Sequence, residues 1–166
     1  MSEGELLQIE KSRKLDITEE VYYQIIKQKT ASLIASCCAC GAQSAQTTQE
    51  NIEKMRLFGE KIGMAFQIKD DLFDFGTYTK TGKPIGIDIK EKKITLPVIL
   101  ALKEADKKTK NRIIKLIKNH KKNSKKINEV IDFVLNSNGI NLAIEKMQAF
   151  KNEALSILND FEDNNA

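Results

Sequence analysis

Residues 66 to 75 read FQIKDDLFDF, which places Asp70, Asp71 and Asp74 inside a run of large apolar side chains. An ordinary core helix carries no carboxylate there, because burying a charge is costly unless something pairs with it. At 3.6 residues per turn two stripes separate on this segment. Ala65, Ile68, Leu72 and Phe75 form one face, with Ile62, Phe66 and Phe73 beside it, and this face is expected to be core. The other runs Gly59, Gly63, Gln67, Asp70, Asp74. Its two glycines allow a neighbouring backbone to come close, and its acids, with Asp71 alongside, can point into one space.

Like charges so close repel, and each raises the pKa of the other unless a cation lies among them. Mg²⁺ suits such a set, since it takes one or two carboxylates, keeps several waters and shares its remaining positions with phosphate oxygens. The alternative is a solvated polar face of an amphipathic helix; against it stand the flanking aromatics and the segment that follows. That segment, GTYTKTGKPIGIDIKEKK, has no period and reads as a long loop over residues 76 to 93. Loops beyond about 12 to 15 residues are usually functional or disordered. This one carries Lys80, Lys83, Lys90, Lys92 and Lys93, and Gly82 and Gly86 can turn backbone N–H groups toward an anion. Each lysine taken singly fits surface solvation equally well. Lys29 and Thr30 precede an apolar small-residue stretch, where Lys29 is either a phosphate contact or the edge of a buried face.

The elements that position these residues are helical. Apolar residues recur at helical spacing almost everywhere, and no β-branched alternation bounded by turn residues appears. The spacing predicts helices over about 2 to 11, with Ser2 and Glu5 in capping-box register, 18 to 42, 49 to 75, from Thr95 to about 105, 107 to 120, 124 to 137 and 140 to 162. Thr95 is the expected N-cap of its helix, with Pro97 in the first turn. The second half of the 18 to 42 helix, rich in small and apolar residues, is expected to be buried on several sides. With 166 residues, 41% hydrophobic, the chain is expected to be a single all-α domain over 1–166.

The strings GMAFQIKDDLFDF and TGKPIGIDIKEKKITLP, preceded by QKTASLIASCCACGA and SEGELLQI, closely resemble the C-terminal half of the trans-isoprenyl diphosphate synthases, particularly the long-chain polyprenyl (octaprenyl-type) enzymes. The resemblance covers roughly residues 2 to 103 and implies an isoprenoid-synthase-type helical bundle, here partial. It implies a prenyltransferase in which the diphosphate of an allylic substrate is ionised and isopentenyl diphosphate attacks the resulting cation. By that resemblance DDLFD supplies Asp70, Asp71 and Asp74 as Mg²⁺ ligands. Lys29, Thr30, Gln67, Lys83 and Lys93 would bind substrate diphosphate, with Lys29 and Lys93 acting in catalysis. The first aspartate-rich motif of the family is not in this chain, which is therefore expected to be the C-terminal half of a longer synthase domain. The non-catalytic alternative is a helical subunit or dimerisation module of the same fold.

Other features point to less. Cys37, Cys38 and Cys40 fall within four positions and cannot form a spaced disulfide framework, so a reducing cytoplasm is expected. The CxxC spacing of Cys37 and Cys40 lies in an apolar helix, with no second cysteine pair and one histidine, His120, so packing is favoured over zinc or redox chemistry. The run from 107 to 126 holds ten Lys or Arg and no acid; its interleaved isoleucines predict an amphipathic helix with a solvated basic face rather than a nucleic-acid or membrane surface. No apolar run approaches the roughly 20 residues of a membrane span. The expected partners are the two prenyl diphosphates and a second copy of the chain, joined through the helices spanning about 2–12 and 18–42.

Overall fold

The apolar recurrence resolves into helices, and no strand occurs among the described residues. A computed structural model describes residues 2–14, 17–76, 85–119 and 123–161. In chain order the helices are α1 (Ser2–Lys14), α2 (Glu19–Ile26), a π-helical turn (Lys27–Ala31), α3 (Ser32–Ser44), α4 (Gln49–Phe73), α5 (Ile87–Lys90), α6 (Leu96–Glu104), α7 (Lys107–Asn119), α8 (Ser124–Leu135) and α9 (Gly139–Leu158). Starts follow side-chain caps: Thr18 accepts from the Val21 amide at 3.3 Å, Thr48 from the Asn51 amide at 3.2 Å, and Asn123 from the Lys125 amide at 3.0 Å. The Ser2 side chain of the expected capping box lies outside the described residues, as do Lys80, Gly82, Lys83 and His120.

Long α4 is the spine, lying against α3 on one side and α9 on the other. The α3 contact is made by the glycine end of the stripe. A Cβ placed on Gly59 would lie 2.8 Å from the Ala35 Cα, and one on Gly63 would lie 2.7 Å from the Ala31 Cα. Opposite, Ala65, Ile68, Leu72 and Phe75 are buried, joining α6, whose residues from Leu96 to Leu102 are all buried. On α7, Ile113 and Ile117 are buried while Lys107, Lys108, Lys110, Lys115 and Lys118 are exposed, so the basic run is one face of an amphipathic helix.

Four local expectations change. The 18 to 42 helix is interrupted by the π-helical turn, which carries Lys29 and Thr30. Its second half is not buried on several sides within the chain: in α3 Ala35 is buried, whereas Leu33, Cys37 and Cys40 are exposed, because α3 rests on α4 along one edge. Phe66, expected beside the core face, is 59% exposed, since it faces away from α6 and α9. The 76 to 93 segment is not wholly loop, because Ile87–Lys90 forms a helical turn.

Candidate functional site

A cavity of about 280 Å³ opens where α1, the π turn, α4, α5 and the start of α6 meet. Gln8, Lys29, Gln67, Asp70, Asp71, Asp88, Glu91, Lys93 and Thr95 line it, with Ile87. Lys29, Gln67, Asp70, Asp71 and Lys93, all expected at the site, are thus together on one wall system. Lys83 lies outside the described residues.

The π turn has a direct consequence for the site. An extra residue per turn shifts which side chains face α4, and here Thr30 donates to the Gln67 Oε1 at 2.9 Å. With its oxygen taken, the Gln67 amide must present its nitrogen the other way, and Nε2 donates to Asp71 Oδ1 at 2.9 Å. The second Asp71 oxygen, Oδ2, accepts from the Tyr22 hydroxyl at 2.7 Å. Thr30, Gln67, Asp71 and Tyr22 therefore form one fixed chain. Asp71 is 6% exposed, and burial pushes its carboxyl up to about 7; the Tyr22 and Gln67 hydrogen bonds pull it down, while Asp88 and Asp70 add to the upward push. Tyr22 is raised well above the ordinary tyrosine value, by burial first and by Asp71 beside it.

Lys29 reaches from the π turn to the Gln8 Oε1 at 3.1 Å. Lys93 pairs with Glu91 at 2.5 Å. Burial works against the Lys93 charge, yet Glu91, Asp88 and Asp71 together hold its pKa above the usual lysine value. Both ammonium groups now rest on partners that are partly solvated, which an incoming anion can replace.

Asp74 takes a different place from its neighbours. It is fully buried, does not line the cavity, and turns toward α5: Oδ1 accepts from the Ile87 amide at 2.8 Å and Oδ2 from the Asp88 amide at 3.2 Å. Its carbonyl accepts from the Gly86 amide at 2.9 Å. Gly86 sits at φ +77°, a left-handed conformation that glycine adopts without strain. Among the described residues of this segment, the Ile87 and Asp88 amides are therefore spent on the Asp74 carboxylate.

Tyr22, Gln8, Asp88, Glu91 and Thr95 belong to the site and were not singled out from sequence. Asp88 lies within the GKPIGID string, and Thr95 was read as a helix cap. Tyr22, one aromatic in an apolar helix, carries no signal.

Among the described residues no three acidic, thiol or imidazole groups converge as a ready-made metal cage. The donor set instead fits a cation of the Mg²⁺ type, which needs only one or two protein carboxylates when phosphate oxygens and water complete its shell. Asp70 and Asp71 can serve as those carboxylates.

The helical bundle is that of the isoprenoid synthases, since it superposes on solved polyprenyl synthases over nearly its whole length. The chain belongs to the polyprenyl synthetase family, whose model matches residues 1–134. It is 40% identical over 116 residues to a short chain isoprenyl diphosphate synthase of Methanothermobacter thermautotrophicus, covering 69% of this chain and 36% of the relative. It is 30% identical over 157 residues to heptaprenyl diphosphate synthase component 2 of Bacillus subtilis, covering 94% of this chain and 44% of that protein. Among solved structures, the polyprenyl synthase of Caulobacter crescentus, complexed with calcium and isoprenyl diphosphate, superposes with a TM-score of 0.90 at 30% identity, over 98% of this chain and 50% of that one. The chain thus spans about a third to a half of the length of these proteins.

Proposed function

We propose that this chain carries the diphosphate-binding side of a trans-prenyltransferase site, which works on an allylic isoprenoid diphosphate and isopentenyl diphosphate as a polyprenyl diphosphate synthase does. The observation that carries the reading is the convergence of Lys29, Lys93, Asp70 and the Thr30–Gln67–Asp71 chain on one cavity. A departing diphosphate gains negative charge as its bond to the allylic carbon breaks, so ammonium groups placed at its oxygens stabilise the transition state more than the ground state. Lys29 and Lys93 serve that purpose, with Lys83 as a further lysine of the family pattern. Gln67, held by Thr30, keeps Asp71 oriented toward the cavity. Asp70 and Asp71 would hold Mg²⁺, which when bound supplies further charge stabilisation to the departing diphosphate, while Asp74, expected from the family pattern as a third ligand, is instead turned to the α5 amides.

Titration calorimetry with inorganic pyrophosphate and with an isoprenyl diphosphate, with and without Mg²⁺, tests this. Binding is expected to depend on Mg²⁺ and to weaken by about tenfold or more in Asp70→Ala and Lys93→Ala, the loss of one charged hydrogen bond or ion contact. Magnesium-independent behaviour of the folded protein would sink the reading.

Self-association is proposed through the helices at 2–12 and 18–42, where Leu6, Ile9 and Leu33 are exposed. The Bacillus subtilis relative is named as one component of a synthase. That name favours a second reading, in which this chain is a helical subunit that works beside another polypeptide. Tight association with a homologue of the family, unaffected by Asp70→Ala and Lys93→Ala, would support it. No helix among the described residues is long and apolar enough to cross a membrane.

A further inference from the structure

Among the described residues Thr18, Thr48 and Thr95 stand at helix N-caps, and Thr95 behaves differently. Thr18 and Thr48 each spend their hydroxyl on an amide of the helix they open, at 3.3 and 3.2 Å. Thr95 has the same extended backbone, φ −95° and ψ 170°, but makes no such bond to α6. It is 4% exposed, and among the described residues its Oγ1 is a buried side-chain oxygen with no hydrogen-bond partner. Buried polar groups in native proteins are nearly always satisfied, and an exception calls for a reason.

The position supplies one. Thr95 lines the same cavity as Lys29, Lys93, Asp70 and Asp71. Lys93 and Thr95 are two residues apart just before α6, and both line this cavity. An anion held by the Lys93 ammonium therefore arrives beside Thr95. It also arrives at the N-terminus of α6, a nine-residue helix whose first turn is fully buried and whose dipole favours negative charge there. The helix cannot shift to satisfy the hydroxyl, because α9 clamps it: a Cβ on Gly139 would lie 2.5 Å from the Pro97 carbonyl oxygen.

We infer that Thr95 is a binding residue for the diphosphate, donating its hydroxyl to a phosphate oxygen held between Lys29 and Lys93. The inference rests on the function proposed above. Oγ1 is turned away from solvent. Rotation about Cα–Cβ exchanges hydroxyl and methyl between staggered positions and brings the donor to the cavity wall. The unsatisfied hydroxyl then favours the ligand, because binding supplies the acceptor that the fold withholds.

The test uses the full chain with Mg²⁺ and inorganic pyrophosphate as the probe, and compares Thr95→Val, which keeps the volume, with Thr95→Ser, which keeps the hydroxyl. Calorimetry is expected to show Kd about tenfold weaker for Thr95→Val, equivalent to about 1.4 kcal/mol, and near the parent value for Thr95→Ser. Thermal melting without ligand is expected to show Thr95→Val as stable as the parent or more so, because a merely structural cap would instead lose stability. Unchanged pyrophosphate affinity in Thr95→Val, with the parent chain binding normally, overturns the role of Thr95 alone. A parent chain that binds no pyrophosphate overturns this inference together with the proposed function.

Discussion

The Tyr22 hydroxyl donates to the Asp71 carboxylate at 2.7 Å across 49 residues of chain, and ties α2 to the acidic end of α4. Both groups are buried, so each depends largely on the other for its hydrogen bond. Tyr22→Phe removes the donor and leaves Oδ2 unsatisfied, which is expected to cost about 1–3 kcal/mol. The hydrogen bond favours the charged carboxylate, so the loss is expected to be larger at pH 8 than at pH 5. Urea denaturation at the two pH values measures this; an equal loss at both would mean that Asp71 keeps one charge state throughout.

Asp71 itself gives a pH dependence of defined sign. Its carboxyl is raised from 3.8 to about 7 in the folded chain. Between those values the folded state binds a proton that the unfolded state does not, so stability from this group is fully present below about pH 4 and is lost as pH rises through 7. Asp71→Asn removes the titration, and its amide can still meet both neighbours. In metal-free buffer at pH 8 the variant is expected to be more stable than the parent by on the order of 2–4 kcal/mol, and the gap is expected to close near pH 4. Parallel stability profiles for parent and variant would contradict it.

Asp74 and Asp70 are neighbours in sequence with separable consequences. Asp74 accepts two amides of α5 with its two carboxylate oxygens, and an asparagine offers one oxygen and a nitrogen that faces an N–H. Asp74→Asn is expected to cost about 1.5–3 kcal/mol without any metal present, the range for hydrogen bonds to a charged group. Asp70→Asn, on the cavity wall, is expected to cost less metal-free stability than Asp74→Asn, because Asp70 is only half-buried whereas Asp74 is fully buried. Differential scanning calorimetry of the two variants in chelator decides it, and an unaffected Asp74→Asn would remove the capping role.

Much of this was open to sequence reading, for identifiable reasons. Residues such as Ile68, Leu72, Ile113 and Ile117 repeat at helical spacing because one face must be buried, so the helices were legible. That Gln67, Asp70 and Asp71 share one cavity wall was legible from their helical spacing. The partners of Asp74 were not, since they are backbone amides 13 and 14 positions away in a stretch without period. Neither was the π turn at Lys27–Ala31, which has no side-chain signature and whose Ala31 packs closely on Gly63.

That close passage separates two glycines by sign. Gly63 lies where α4 meets the π turn, and an added Cβ would fall 2.7 Å from the Ala31 Cα and 3.0 Å from its Cβ. Backbone cannot yield as a flexible side chain does, so the turn must move outward, taking Thr30 from Gln67. Gly63→Ala is expected to destabilise by about 1–3 kcal/mol, as overpacking does, and to weaken pyrophosphate binding through the loosened Gln67. Gly41 is within α3 and has nothing within 4 Å of an added Cβ. There alanine only restricts the unfolded chain and favours the helix, so Gly41→Ala is expected to stabilise by about 0.5–1 kcal/mol. Paired urea titrations measure both, and stabilisation by both substitutions would show that helix propensity, not the approach of the π turn to α4, governs these positions.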